Sequence, residues 1–266
     1  MTVGDWLKTR AKILSDNGIG SARLDCILML EKVLSHDRGW LLAHLDEPLP
    51  DLESRALEVL FARRYQHWPM AYILGKTEFY GRTFAVNKHV LVPRPESESI
   101  IELAQHAVPV DMILDVGTGS GALAITLALE KVANIVAGLD IDPACLDVAQ
   151  QNARLLGARV TWQSSDLLRG WQLPASVTKL GVVANLPYVP DDYPINDAAN
   201  HEPKLALFSG VDGLDHYRKF FAQLPEATSW VITEALLEQH EPLASLAKSA
   251  GYRLAATDGL AQYFIR

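Results

Sequence analysis

The sequence predicts an α/β protein, with a mostly parallel sheet covered by helices on both faces and a small helical bundle in front of it. Three features carry that reading. From residue 110 onward, short apolar β-prone runs alternate with helical periodicities. Before residue 72 there is no Val/Ile-rich alternating run. The turn between the first sheet run and its helix carries three glycines, Gly117, Gly119 and Gly121.

The elements follow in order. Ser21 is placed to cap a helix in which Leu24, Ile27, Leu28, Leu30 and Leu34 recur near helical spacing. Asp51 opens a second helix, with Leu52, Ala56, Leu57, Leu60 and Phe61 on one face. Phe79 to Val86, with Gly81 among aromatic and β-prone residues, predicts a hairpin, and Val90-Leu91-Val92 a further short strand stopped by Pro93-Arg94-Pro95. A helix runs from Glu96 to Ala107, with Pro95 and the early glutamates suiting its first turn. Strands are predicted at Met112–Val116, Asn134–Leu139, Arg159–Gln163, Leu180–Ala184 and Trp230–Thr233. Helices are predicted at Ala122–Glu130, Pro143–Leu156 and Ala235–Ser249, before a closing antiparallel pair, Tyr252–Ala255 and Gln262–Ile265. This divides the chain into a helical domain (1–70), a connecting β-hairpin (71–95) and a sheet domain (96–266).

Composition narrows the function classes. Hydrophobic residues make up 49% and charged residues 21%, a globular balance that excludes a mainly disordered chain. The formal net charge is −8, which argues against a protein whose main task is to grip nucleic-acid phosphates. Cys26 and Cys145 stand far apart and no Cys/His cluster has metal spacing, so neither a metal site nor a disulfide framework is expected. The first ten residues lack a secretory apolar core and no apolar run is long enough for a membrane span, so the expected location is cytoplasmic, with no membrane partner.

Asp115-Val116-Gly117-Thr118-Gly119-Ser120-Gly121 leads from a strand into a helix. Glycines there permit positive φ and let a ligand approach the backbone closely. Asp140, ending the next strand, offers a carboxylate to two ribose hydroxyls. The glycine spacing is G-x-G-x-G, and with the leading Asp115 it is similar to the pattern of methyltransferases that use S-adenosylmethionine. Asp166 and Leu167, after the third strand, are candidates for the adenine amino group and ring face.

A second motif, Asn185-Leu186-Pro187-Tyr188, follows the fourth strand. A planar –NH2 group is a poor nucleophile because its lone pair is delocalised. Asn185 has a side-chain carbonyl, and Leu186 a main-chain one, each able to accept one N–H and so orient such a nitrogen. Pro187 stiffens the loop, and Tyr188 is placed to pack on the flat group. The same chemistry serves an amide or an exocyclic base amine, so the tetrapeptide alone leaves both substrate classes open.

With these motifs in place, the chain resembles the HemK-type (PrmC) family, the release factor glutamine methyltransferases. The resemblance rests on Ser21-Ala22-Arg23-Leu24-Asp25, Pro69 to Gly75 with Phe79-Tyr80-Gly81, Val92-Pro93-Arg94-Pro95-Glu96, Glu202-Pro203, Ala206-Leu207, Asp212-Gly213-Leu214 and Tyr217-Arg218. It implies a Rossmann-like, S-adenosylmethionine-dependent methyltransferase sheet with an N-terminal substrate-recognition domain. The implied reaction is methyl transfer to the side-chain amide nitrogen of the glutamine in the Gly-Gly-Gln motif of class 1 peptide chain release factors. It implies a cofactor site of Gly117 to Gly121, Asp140, Asp166, Leu167 and Asn185, and a glutamine site of Asn185 to Tyr188. Direct nucleic-acid binding is not implied.

The family usually has Asn-Pro-Pro-Tyr, and Leu186 stands at the first of those prolines. Leucine keeps the main-chain carbonyl but loses the fixed φ. Two other readings stay open here: an amino-methyltransferase acting on adenine or guanine, and a cofactor-binding scaffold impaired by Leu186.

Overall fold

Helix start signals at the N-terminus translate into caps. In the computed structural model, which describes residues 1–266, α1 (Val3–Asp16) opens with a reciprocal box: the Asp5 N–H donates to Thr2 Oγ1, and the Thr2 N–H to Asp5 Oδ2. α2 (Ala22–Leu34), α3 (Arg38–Ala43), α4 (Asp51–Tyr65) and α5 (Met70–Leu74) complete the helical part. Trp6, Leu14, Met29, Leu30 and Leu57 are buried in its core. Ser21 holds the N-cap position of α2, its carbonyl accepting the Asp25 N–H at 2.9 Å, but its hydroxyl donates to Asp25 Oδ2 at 2.8 Å and takes no helix N–H. Asp25 is buried and also accepts from Arg64 Nε at 2.7 Å. The buried side of α2 runs through Ala22, Cys26, Met29 and Leu30 rather than Leu24, which is exposed, and Leu52 and Ala56 of α4 are exposed as well. In both helices the apolar pattern was wider than the face that packs.

The chain forms two compact units, Met1–Lys76 with Ile195–His201, and Thr77–Pro194 with Glu202–Arg266. The excursion at 195–201 carries no signal in the sequence. Within the helical unit, the His201 ring stacks on Trp68, with centroids 4.8 Å apart.

A hairpin of β1 (Lys76–Phe79) and β2 (Arg82–Ala85) turns through Tyr80-Gly81. Val90-Leu91-Val92 does not form the predicted strand. The segment is buried at Val90 and Val92 but lies outside the strands, and the Val92 N–H donates to the Glu202 carboxylate at 3.1 Å. The sheet unit continues with α6 (Glu98–His106), β3 (Met112–Val116), α7 (Ala122–Leu129), β4 (Ile135–Asp140), α8 (Pro143–Leu156), β5 (Thr161–Ser164) and β6 (Leu180–Ala184). It closes with α9 (Asp215–Gln223), β7 (Thr228–Glu234), α10 (His240–Ser249), β8 (Arg253–Asp258) and β9 (Ala261–Ile265). The helix expected from Ala235 begins at His240, after a 3-10 turn at Leu237–Gln239.

The seven strands lie in the order β5-β4-β3-β6-β7-β9-β8. β5 through β7 pair in parallel, and β9 pairs antiparallel with both β7 and β8. Alternation along β3 sorts its side chains between two layers. Met112, Leu114 and Val116 join Phe220, Phe221 and Leu243 on one face, while Ile113 joins Ile100, Ile101 and Ile125 on the other. Strand order reverses between β4-β3 and β3-β6, which opens a crevice at the carboxyl ends of those strands. No helix is long and apolar enough to cross a membrane.

Candidate active site

The crevice holds a cavity of about 340 Å³, within the size range of sites for a nucleoside-sized ligand. Four strand ends build its wall. Gly117 to Ser120 come from β3, Asp140 to Asp142 from β4, Ser165 to Leu167 follow β5, and Asn185 to Pro187 follow β6. His89, Leu91, Pro93 and Arg94 add a further side, so the segment that failed to make a strand serves as wall instead.

The glycine turn is pinned from below: Leu139 O accepts the N–H of Gly117 at 2.9 Å and of Thr118 at 2.8 Å. Gly117 and Gly119 have φ of +77° and +54°, values that disfavour any residue with a Cβ. Asn152 of α8, fully buried, donates from Nδ2 to Ser120 O and to Ala85 O, and its Oδ1 accepts the Ala85 N–H. It thereby ties the turn to the hairpin. Gly121 does not line the cavity. It caps α7 with φ +80°, and a Cβ there would lie 3.0 Å from Ala149, Ile125 and Trp162, so its role is close packing.

The electrostatics of the wall select among ligands. Asp140 Oδ2 accepts the Gly119 N–H at 2.8 Å and Oδ1 the Asp142 N–H at 3.0 Å, leaving lone pairs on both oxygens toward the cavity. Burial raises its pKa from the usual carboxylate value. Asp115, beneath the turn, is fully buried. Its Oδ2 accepts from Thr118 Oγ1 at 2.6 Å and from the Ala124 N–H at 3.2 Å, and its Oδ1 has no partner. Burial pushes its pKa up to about 7. Asp140, Asp142 and Asp166 line the cavity, and Arg94 on the same wall is paired with Glu202 at 2.5 Å. Three carboxylates against the one lysine of the wall, Lys204, suit a nucleoside carrying positive charge. Leu167, Leu91 and Ile141 supply apolar wall for a ring. The residues therefore fit S-adenosylmethionine, a cationic sulfonium nucleoside.

The tetrapeptide stands at the same wall. Asn185 is half-buried, and its Nδ2 donates to Ser97 Oγ at 2.8 Å. Leu186 turns its side chain into the core, where a Cβ on Gly117 would meet its Cδ2 at 3.0 Å, and its N–H donates to the Tyr217 hydroxyl at 3.3 Å. Leucine here thus fills core space and uses an N–H that proline lacks. Tyr188 does not line the cavity. Its hydroxyl donates to Glu234 Oε1 at 2.9 Å, and its carbonyl accepts from Gln239 Nε2 at 2.7 Å. Gly213, at φ +76°, passes so close that a Cβ would lie 2.1 Å from Tyr188 O. Val189 pairs beside Phe208, with its N–H donated to Leu207 O at 2.8 Å. Segments scattered over more than a hundred residues of sequence therefore converge behind Asn185–Tyr188.

Sequence reasoning missed Glu234, Gln239 and Asn152 as supports. Glu234 carried a signal, since a carboxylate just past the apolar run Trp230–Ile232 of a largely buried strand needs a partner. Gln239 and Asn152 carried none.

Comparison with known proteins decides the family. Residues 5–75 match the model of the PrmC N-terminal domain, and residues 113–198 match a methyltransferase domain. The Release factor glutamine methyltransferase of Bacillus cereus is 36% identical over 236 residues, 85% of this chain and 82% of that protein. The one from Vibrio cholerae is 33% identical over 269 residues, 97% of this chain and 92% of that protein.

The chain belongs to the release factor glutamine methyltransferase family.

Among solved structures, the hMettl16 catalytic domain in complex with MAT2A 3′UTR hairpin 1 aligns with a TM-score of 0.54 at 13% identity, over 86% of this chain and 93% of that one. At that identity the likeness establishes the methyltransferase fold alone. As a release factor glutamine methyltransferase family member, the chain keeps Asn185 and Pro187 on the wall of the cofactor-sized cavity, with Leu186 shared between that wall and the core and Tyr188 set back from it.

Proposed function

We propose that this chain transfers a methyl group from S-adenosylmethionine to the side-chain amide nitrogen of the glutamine in the Gly-Gly-Gln motif of class 1 release factors, in the cytoplasm, with the helical unit recognising the release factor. The observation that carries the reading is Asn185, which lies on the wall of the cavity with its amide nitrogen already committed to Ser97. Its Oδ1 is left as the acceptor.

Gly117 to Ser120 hold the amino-acid end of the cofactor, Asp140 accepts from its ribose hydroxyls, and Asp166 and Leu167 face the adenine. When bound, the cofactor supplies a methyl carbon made electrophilic by the adjoining sulfonium. Asn185 Oδ1 and the Leu186 main-chain carbonyl each accept one N–H of the glutamine amide. Two fixed acceptors turn the nitrogen's lone pair toward the cavity and raise its electron density. Glutamine has a slim side chain, and Tyr188, withdrawn from the cavity wall and tied to Glu234, holds the loop rather than stacking on the amide.

The test is transfer of tritiated methyl from the cofactor to a purified release factor, with duplex DNA and ribosomal RNA in parallel. Label in the Gly-Gly-Gln peptide supports the reading. Label only in nucleic acid overturns it in favour of a base amine, and no label anywhere supports an impaired scaffold.

A further inference from the structure

We propose that Glu234 is a positioning residue that, acting through Ser97, sets which end of the Asn185 carboxamide faces the cavity, while the same carboxyl holds Tyr188. This rests on reading Asn185–Tyr188 as the loop that holds the glutamine amide. Glu234 ends β7, is 1% exposed, and does not line the cavity. It therefore acts through its neighbours.

A carboxamide has two ends of similar size and opposite chemistry. Only with Oδ1 toward the cavity does Asn185 accept an N–H. Flipped, it presents a second N–H donor to a group that itself donates. Shape does not distinguish the two states, so the hydrogen bonds behind the side chain must. The Asn185 Nδ2 donates to Ser97 Oγ at 2.8 Å. A hydroxyl that accepts there is free to donate its own hydrogen onward. The Glu234 carboxyl faces both Ser97 and Asn185, and each pulls its pKa down against the larger upward push of burial. Its Oε1 accepts from the Tyr188 hydroxyl at 2.9 Å, while its Oε2 is buried without a bond of ordinary geometry. Glu234 is thus the terminal acceptor of a short polar chain. Its Oε1 is taken by Tyr188, its buried Oε2 is left for the hydrogen that Ser97 frees, and a flipped Asn185 would set Oδ1 against that carboxyl. The main chain at the same residue reinforces the arrangement: Tyr217 donates its hydroxyl to Glu234 O at 2.5 Å and receives the Leu186 N–H at 3.3 Å.

Glu234→Gln is the discriminating variant. It is isosteric, and with Tyr188 still donating to its carbonyl end, the new –NH2 points at Ser97 and Asn185. Donor then meets donor, and the Asn185 orientation loses its bias. Three readouts follow. In full-length protein labelled with 15N-asparagine, the Asn185 side-chain NH2, assigned by its loss in Asn185→Ala, exchanges at least about ten-fold faster in Glu234→Gln than in the wild type. Cofactor affinity by calorimetry stays within about three-fold, while kcat on release factor falls on the order of 10²-fold and KM moves little. Ser97→Ala produces a similar loss, and the double variant is no worse than the poorer single one, because both changes break one chain. Ser97→Thr, which keeps the hydroxyl, retains more turnover than Ser97→Ala.

Unchanged protection of the Asn185 amide in Glu234→Gln overturns the proposal, as do losses that multiply in the double variant. If the wild type transfers no methyl to release factor, the functional reading fails, and the amide exchange measurement still decides the role of Glu234.

Discussion

Gly213→Ala probes the support behind the tetrapeptide without touching the cavity. Gly213 sits at φ +76°, and an added Cβ would lie 2.1 Å from Tyr188 O and 2.4 Å from Gln239 Nε2. The left-handed conformation alone costs alanine about 1–2 kcal/mol. Gln239 Nε2 holds Tyr188 O at 2.7 Å and Asp212 O at 2.8 Å, and displacing it forfeits two bonds at about 1 kcal/mol each. The expected destabilisation is therefore about 3–4 kcal/mol. Ordinary contact begins at 3.4 Å, so the new methyl and the Tyr188 carbonyl must separate by more than an ångström. A shift of that size in a positioning loop lowers turnover on the order of 10²-fold. Gly213 is not part of the cavity wall, so cofactor affinity stays within about three-fold of the wild type. Urea unfolding, single-turnover methyl transfer at a temperature where the variant is folded, and calorimetry measure the three quantities. Wild-type turnover in a folded Gly213→Ala protein refutes the claim that the placement of Tyr188 matters. A parallel collapse of cofactor affinity refutes the claim that this support serves the tetrapeptide alone.

Other perturbations separate the remaining parts. Asn185→Ala leaves calorimetric cofactor affinity within a few fold and removes most turnover, on the order of 10²-fold or more; near-normal turnover contradicts its role. Asp115 has a pKa of about 7 when folded, against 3.8 for an ordinary aspartate. Between those values the folded chain keeps a proton that the unfolded chain has released, so this group's contribution to stability falls as pH rises from about 4 to about 7 and is level above. The full change is about 4 kcal/mol, and denaturant titrations across that range find the slope missing in Asp115→Asn. Arg94→Met leaves Glu202, 5% exposed, with a buried charge and only the Val92 N–H to satisfy it. Because the Arg94 side chain itself is 37% exposed, a loss of about 1–3 kcal/mol is expected in urea unfolding, and no measurable change contradicts the pairing.

How much of this was legible in the sequence depends on what kind of signal each part leaves. Met112–Val116, Pro143–Leu156 and Leu180–Ala184 fall on the predicted bounds because each is an apolar or amphipathic run with punctuation at both ends. Asp140, Asn185 and the glycines through Gly119 meet at one cavity because parallel strands deliver their carboxyl ends to one rim. Val90–Val92 misled because burial and β-propensity do not by themselves place a segment in a sheet. Helix α9 went unread, though Tyr217, Phe220 and Phe221 form its buried face, because charged residues interrupt the run. Tyr188 reads as a stacking platform by residue type, and only the fold shows its hydroxyl drawn back to Glu234. Hydrogen bonds across fifty or more residues, such as Gln239 to Tyr188, leave no local trace.

The central claim is that Asn185–Tyr188 presents oxygen acceptors to an amide nitrogen at the sulfur end of the cofactor cavity. A crystal structure of this chain with S-adenosylhomocysteine tests it most directly. The account predicts ribose hydroxyls on Asp140 and the sulfur facing Asn185, whose Oδ1 points into the cavity while Nδ2 stays on Ser97. A sulfur lodged away from Asn185, or an Asn185 amide turned to present its nitrogen, contradicts it.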